Sequence, residues 1–144
     1  MQWLRLGTGL LLAAFMVFMG LQKFGADNAV FDFIATQSGI ALFEPVVRMA
    51  TGVAELLAAV LILVGLFANR LRGVGGLFSL AVIGGALVFH LSPWLGVVAP
   101  VGYDEAGNYV FSPMLFMMAI AFFGVSAVVT FIEREHLPII GKSA

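Results

Sequence analysis

The sequence contains no cysteine. That removes disulfides, thiol redox chemistry and any metal centre built on thiolates. Charge is nearly as scarce: 10% of the 144 residues are Asp, Glu, Lys or Arg, where soluble domains carry about 25%. The net charge of −1 comes without a basic cluster, so nothing offers a phosphate backbone a docking surface and nucleic acid is excluded as a partner. Phosphate loops, nucleophile elbows and zinc spacings are absent as well. These absences leave the chain without the usual equipment of a soluble enzyme.

What is there is apolar. Hydrophobic residues make up 62% of the chain, and the mean hydropathy is +1.09. Repeated apolar runs of about 20 residues place the chain among helical membrane proteins, with the lipid bilayer as solvent for most of its surface. The expectation is an all-α membrane protein, a four-transmembrane-helix bundle forming one domain over residues 1–144.

Four spans are expected, at about 3–22, 45–68, 73–91 and 113–132. The first, with Arg5 at its start and an apolar run to Gly20, also fits a signal peptide, although the run is as long as a true span. Its Gly9 and Ala13, and the pairs Gly75-xxx-Ser79 and Ala81-xxx-Gly85 of the third span, are small residues one turn apart that favour close helix contact. Two long connections join the spans. In Lys23–Glu44, Asn28 suits an N-cap for a short interfacial helix over about 29–36, with Gly39 as its stop and Pro45 in the first turn of the next helix. In Ser92–Ser112, Trp94 and Tyr103 suit the interfacial belt, and the Glu105-Ala106-Gly107-Asn108 centre between Tyr103 and Tyr109 suits a small β-hairpin.

Arg5, Arg70, Arg72, Arg134 and Lys142 flank the termini and the middle loop, whereas only Lys23 and Arg48 lie near the long connections. The positive-inside rule then sets both termini in the cytoplasm and both long connections outside. In that arrangement Gln22, Lys23, Arg48 and His90 all fall at the outer ends of their spans. Glu55 lies about 10 Å deeper than Arg48 at 1.5 Å per residue, and the cytoplasmic half is nearly bare of polar groups.

Arg48, Thr51 and Glu55 share one helix stripe, and Glu44 and Arg48 are spaced i, i+4 for a direct pair. An ionised carboxylate alone at the depth of Glu55 costs roughly 2.5–3.5 kcal/mol, so Glu55 is expected to meet Lys23 or His90 from a neighbouring helix, or to stay protonated. Lys23, Arg48, Glu55 and His90, with Gln22 and Thr51, are the candidate ligand-binding residues. The bland alternative is an ion cluster that fixes helix register. Histidine 90 with Met16, Met19, Met49, Met114, Met117 and Met118 outlines a soft copper site, but methionine at helical spacing is far more often core filler, and no metal is expected.

The segments G-L-Q-K-F at 20–24 and R-M-A-T-G-V-A-E-L-L-A-A-V-L-I-L-V-G at 48–65, the Arg70/Arg72 loop and His90 resemble the DoxX-like four-helix membrane proteins over residues 4–91. In that resemblance Lys23 and Glu55 match the lysine of the first span and the glutamate of the second. It implies a four-helix bundle in the bacterial cytoplasmic (inner) membrane, associated with quinone-linked redox or oxidative-stress systems. The absence of cysteine argues against any thiol-exchange role. The combined expectation is a binding subunit without catalytic activity of its own. An outward pocket would hold a lipophilic small molecule, quinone foremost, and a redox partner protein would supply the chemistry. A second copy of the chain is an admissible partner. The competing readings are a proton-coupled transporter with Glu55 as carrier, and an assembly subunit without ligand.

Overall fold

Backbone in hydrocarbon must satisfy its own hydrogen bonds, and long apolar runs do so by coiling. The computed structural model, which describes residues 2–68, 71 and 73–137, is accordingly dominated by helices. They are α1 (Gln2–Gln22), α2 (Ala29–Ser38), α3 (Val46–Phe67), α4 (Val74–His90) and α5 (Met114–Ile132), with single turns of 3₁₀ helix at Ala41–Phe43 and Arg134–His136. The strands β1 (Ala99–Tyr103) and β2 (Tyr109–Ser112) form an antiparallel hairpin. Three helical segments, Gln2–Gln22, Ala41–Phe67 and Met114–Ile132, are long and apolar enough to cross a membrane. The third expected span is the shorter apolar helix α4, whose 17 residues reach about 26 Å.

The expected element ends lie close to those observed. Asn28 caps α2 by accepting from Phe31 N, and Gly39 ends it in the left-handed conformation (φ 71°). The hairpin turns through Asp104–Asn108, where Asp104 Oδ1 accepts from Ala106 N (2.9 Å) and Asn108 N (2.8 Å). Those donors hold the Asp104 carboxyl below its ordinary range, the Asn108 amide most of all. Arg70, Arg72 and Lys142, three of the charges that set the expected orientation, lie outside the described residues.

Helix α1 packs on α3 and α5, and α4 packs on α3 and α5, so the four long helices close a ring. Its core is built from Leu12, Met16, Ala58, Ala59, Ile83 and Ala119 with their neighbours. Helix α2 and the hairpin pack together over one end of this ring, here called the cap end. The opposite end, where α1 begins and α5 finishes, is the base.

Small residues decide how closely the helices approach. At the α1–α3 crossing, a methyl on Gly52 would stand 3.0 Å from Lys23 Cβ and 3.2 Å from the Gly20 carbonyl. Near the base, one on Gly75 would stand 2.5 Å from Ile62 N, so α4 lies almost against the α3 backbone. Gly75 and Ser79 therefore behave as expected. The Ala81–Gly85 pair does not: Gly85 has nothing within 4 Å of where its Cβ would be, and both residues line an open cavity. The reason lies in α3, whose cap-end half is tied to α1 by Arg48 and Glu55 and so cannot also close on α4.

The base is less bare than expected. Arg5 pairs with Glu133, and its Nη2 donates to Gly65 O and Leu66 O at 3.0 Å each. Glu133, expected in a charged tail, is buried. Arg5 thus satisfies the last carbonyls of α3, which no further turn of helix can reach.

Candidate functional site

Between α1, α3, α4 and α5, under α2 and the hairpin, lies a cavity of about 780 Å³. Its walls are mostly apolar, from Phe15 and Met19 on α1, Ala50 and Ala54 on α3, Ile83 and Ala86 on α4, and Leu115 and Met118 on α5. Gln22, Lys23, Thr51, Glu55 and His90 also line it. Five of the six residues expected from the sequence therefore converge on one space. A largely apolar pocket of several hundred cubic ångströms with a few convergent polar groups has the form of a small-molecule site.

Lys23 and Glu55 form the central polar feature. Lys23 Nζ donates to Glu55 Oε1 at 2.9 Å and to Met19 O at 3.2 Å, and it lies 2.8 Å from Glu55 Oε2. The Oε2 contact counts as charge attraction only: the oxygen lies off the hydrogen-bond direction and accepts no hydrogen bond. Both residues are 7% exposed. The Gly20–Gly52 crossing makes the pair possible, because it brings Lys23, just past the end of α1, within reach of the second turn beyond Arg48.

Arg48 is the residue the structure places elsewhere. Its Nε donates to Glu44 Oε1 (2.8 Å), the pair expected from i, i+4 spacing, and its Nη1 donates to Gly25 O (2.8 Å) and Lys23 O. It is absent from the cavity wall. Its guanidinium is occupied in satisfying the carbonyls that follow α1 and in pairing with Glu44. Arg48 at the cap and Arg5 at the base do the same work, each joining α1 to α3 through the free carbonyls of the other helix's end.

His90, the last residue of α4, is 5% exposed. Its Nδ1 lies 2.9 Å from Gly96 O. A carbonyl only accepts, so Nδ1 carries the proton. Thr51 Oγ1 donates to Val47 O at 2.7 Å. Gln22 is exposed at the cavity rim, as is Asp27. Of the six methionines grouped with His90 in the sequence, Met19 and Met118 line the same cavity, Met16 is buried in the core, and Met49, Met114 and Met117 face outward.

No family model, curated protein or solved structure matches this chain. The site therefore rests on its own geometry.

Sequence reasoning missed the fastening of the cap. Asp32 on α2 accepts through Oδ2 from both Tyr103 OH (3.0 Å) and Tyr109 OH on the hairpin. Phe33 adds edge-to-face contacts with Tyr109 and Phe111, with ring centroids 5.3 and 5.5 Å apart. The only available signal was an acid and two tyrosines in separate connections, which nothing local pairs.

Burial, and then the hydrogen bond to Asp32, raises the Tyr103 phenol to about 12. The Asp32 hydrogen bond, and then burial, raises Tyr109 from its ordinary value of 10.0. The neutral phenols make the contact, so it is intact below pH 10 and is lost as pH climbs through the raised values. These are the chain's two tyrosines, so phenolate absorbance reports the cap alone. Both should titrate above 10 in the folded protein, and Asp32→Asn should bring them down. Titration at the ordinary value in the unaltered protein would show that the cap is not fastened this way.

Proposed function

We propose that the protein is an integral membrane protein of four spans with both termini cytoplasmic, whose outward-facing cavity holds a lipophilic small molecule with a polar head. A quinone is the leading candidate, held by a binding subunit of a redox or oxidative-stress system in the bacterial cytoplasmic membrane. The observation that carries this reading is the 780 Å³ apolar cavity with a buried Lys23–Glu55 pair in its wall. The resemblance to DoxX-like proteins through Lys23 and Glu55 agrees with it. In the proposed orientation the cap end faces outward, and α4 spans with some local thinning of the bilayer.

The transporter reading is weaker because the cavity has an apolar floor. Leu12, Met16, Ala58 and Ala59 fill the ring toward the base, each at most 1% exposed. Among the described residues, a proton passing Glu55 toward the base would meet no relay until the buried Ser79 and Ser126. A pocket closed on one side fits binding better than passage.

Native mass spectrometry of protein purified from its own membrane tests the proposal. A bound lipophile should travel with the unaltered chain, and Ala54→Phe, which puts a ring into the cavity wall, should remove it. Identical spectra without any adduct from both proteins would count against a lipophile site.

A further inference from the structure

The uncharged polar groups inside the cavity, Thr51 and His90, are one-sided in their hydrogen-bonding capacity. Thr51 spends its hydroxyl proton on Val47 O and keeps acceptor lone pairs. The Lys23 ammonium is held at Met19 O and against the Glu55 carboxylate, and Glu55 Oε2 is enclosed by protein atoms, so it is not offered to the cavity. His90 gives its Nδ1 proton to Gly96 O. Its Nε2 makes no hydrogen bond among the described residues, so on the uncharged ring it is a bare acceptor on a residue that lines the cavity. Among the uncharged side-chain donors of the lining, the Gln22 amide is exposed, the Asn28 amide is half-buried at the start of α2, and the Tyr103 hydroxyl is spent on Asp32.

We propose that the cavity selects a lipophile whose head donates hydrogen bonds, a hydroquinone or phenol, over one that only accepts, such as the corresponding quinone. His90 Nε2 is the principal acceptor, with Thr51 Oγ1 on a residue of the same wall. A carbonyl head would set an acceptor against acceptors and leave buried polar atoms unsatisfied on both sides, whereas a hydroxyl head satisfies them. This inference rests on the reading of the cavity as a lipophile site and narrows its ligand to the reduced, protonated form.

The experiment compares three probes of nearly one shape in anaerobic lipid nanodiscs: a decyl-substituted benzoquinone, its hydroquinone, and the dimethyl ether of that hydroquinone. The hydroquinone should bind about tenfold more tightly than either of the others, the effect of one well-placed hydrogen bond. His90→Phe should remove that preference while leaving the weaker binding of the quinone in place. Nitrogen NMR of the two histidines, His90 and His136, reads the tautomer in the unaltered protein without relying on any variant. It should show His90 protonated at Nδ1, with the Nε2 resonance moving when hydroquinone is added. A proton found on Nε2, or a preference that survives His90→Phe, overturns the inference. Equal binding of all three probes also overturns it while leaving the lipophile site standing. Failure of all three to bind removes both.

Discussion

Glu55→Leu is expected to lower the unfolding free energy by about 3–5 kcal/mol, the usual consequence of removing one partner from a buried ion pair. Lys23 would remain as a cation within the bundle. Its Cβ is pressed against Gly52 and its Nζ is held at the Met19 carbonyl, so little freedom is left to swing the ammonium toward water. The double variant Lys23→Met/Glu55→Leu should recover most of the loss, because two apolar side chains of similar volume need no compensating charge. Reversible denaturation in mixed detergent, run as a double-mutant cycle, measures the coupling. If the double variant is as unstable as Glu55→Leu alone, the pair is not the source of the effect. The same cycle separates register from function: a stable double variant that no longer retains a lipophile would assign the pair to binding, since packing would then be intact without it.

The helices and the pairing of charges were legible in the sequence to different depths. Element positions came through because runs such as Val46–Phe67 admit one solution in lipid, and because Asn28, Gly39 and Pro45 act on their own neighbours. The convergence of Lys23, Glu55 and His90 on one space followed from depth along each helix, which requires only the rise per residue. Rotation of each helix about its own axis was not legible. Arg48 sits at the same depth as Lys23 yet turns to the carbonyls beyond α1, and nothing in its spacing distinguishes a ligand donor from a helix cap. The Arg5–Glu133 pair was hidden for another reason. Its partners are 128 positions apart, and each taken alone reads as an ordinary charge at a membrane edge. Asp32 and its two tyrosines were hidden in the same way.

Small residues set the hardest case, and they carry the second large effect. Gly75 and Gly85 lie on the same helix, each in a small-xxx-small pattern, and the sequence treats them alike. Gly75→Ala should cost about 1–3 kcal/mol, the range for overpacking a filled interior. A methyl there would meet Ile62 N at 2.5 Å and Ile62 Cα at 2.8 Å, and main chain cannot rotate aside as a side chain can. Gly85→Ala should be neutral or gain up to about 1 kcal/mol from helix propensity, because its methyl enters open space. Denaturation of the two single variants under one set of conditions gives the comparison, and equal stabilities would mean that α3 and α4 do not close near the base while parting near the cap. Gly85→Leu extends the test to function. It should fold as well as Gly85→Ala and yet lose its lipophile, since the added side chain occupies the wall of the cavity itself. A gap left by small residues is then what distinguishes a binding helix from a merely packed one.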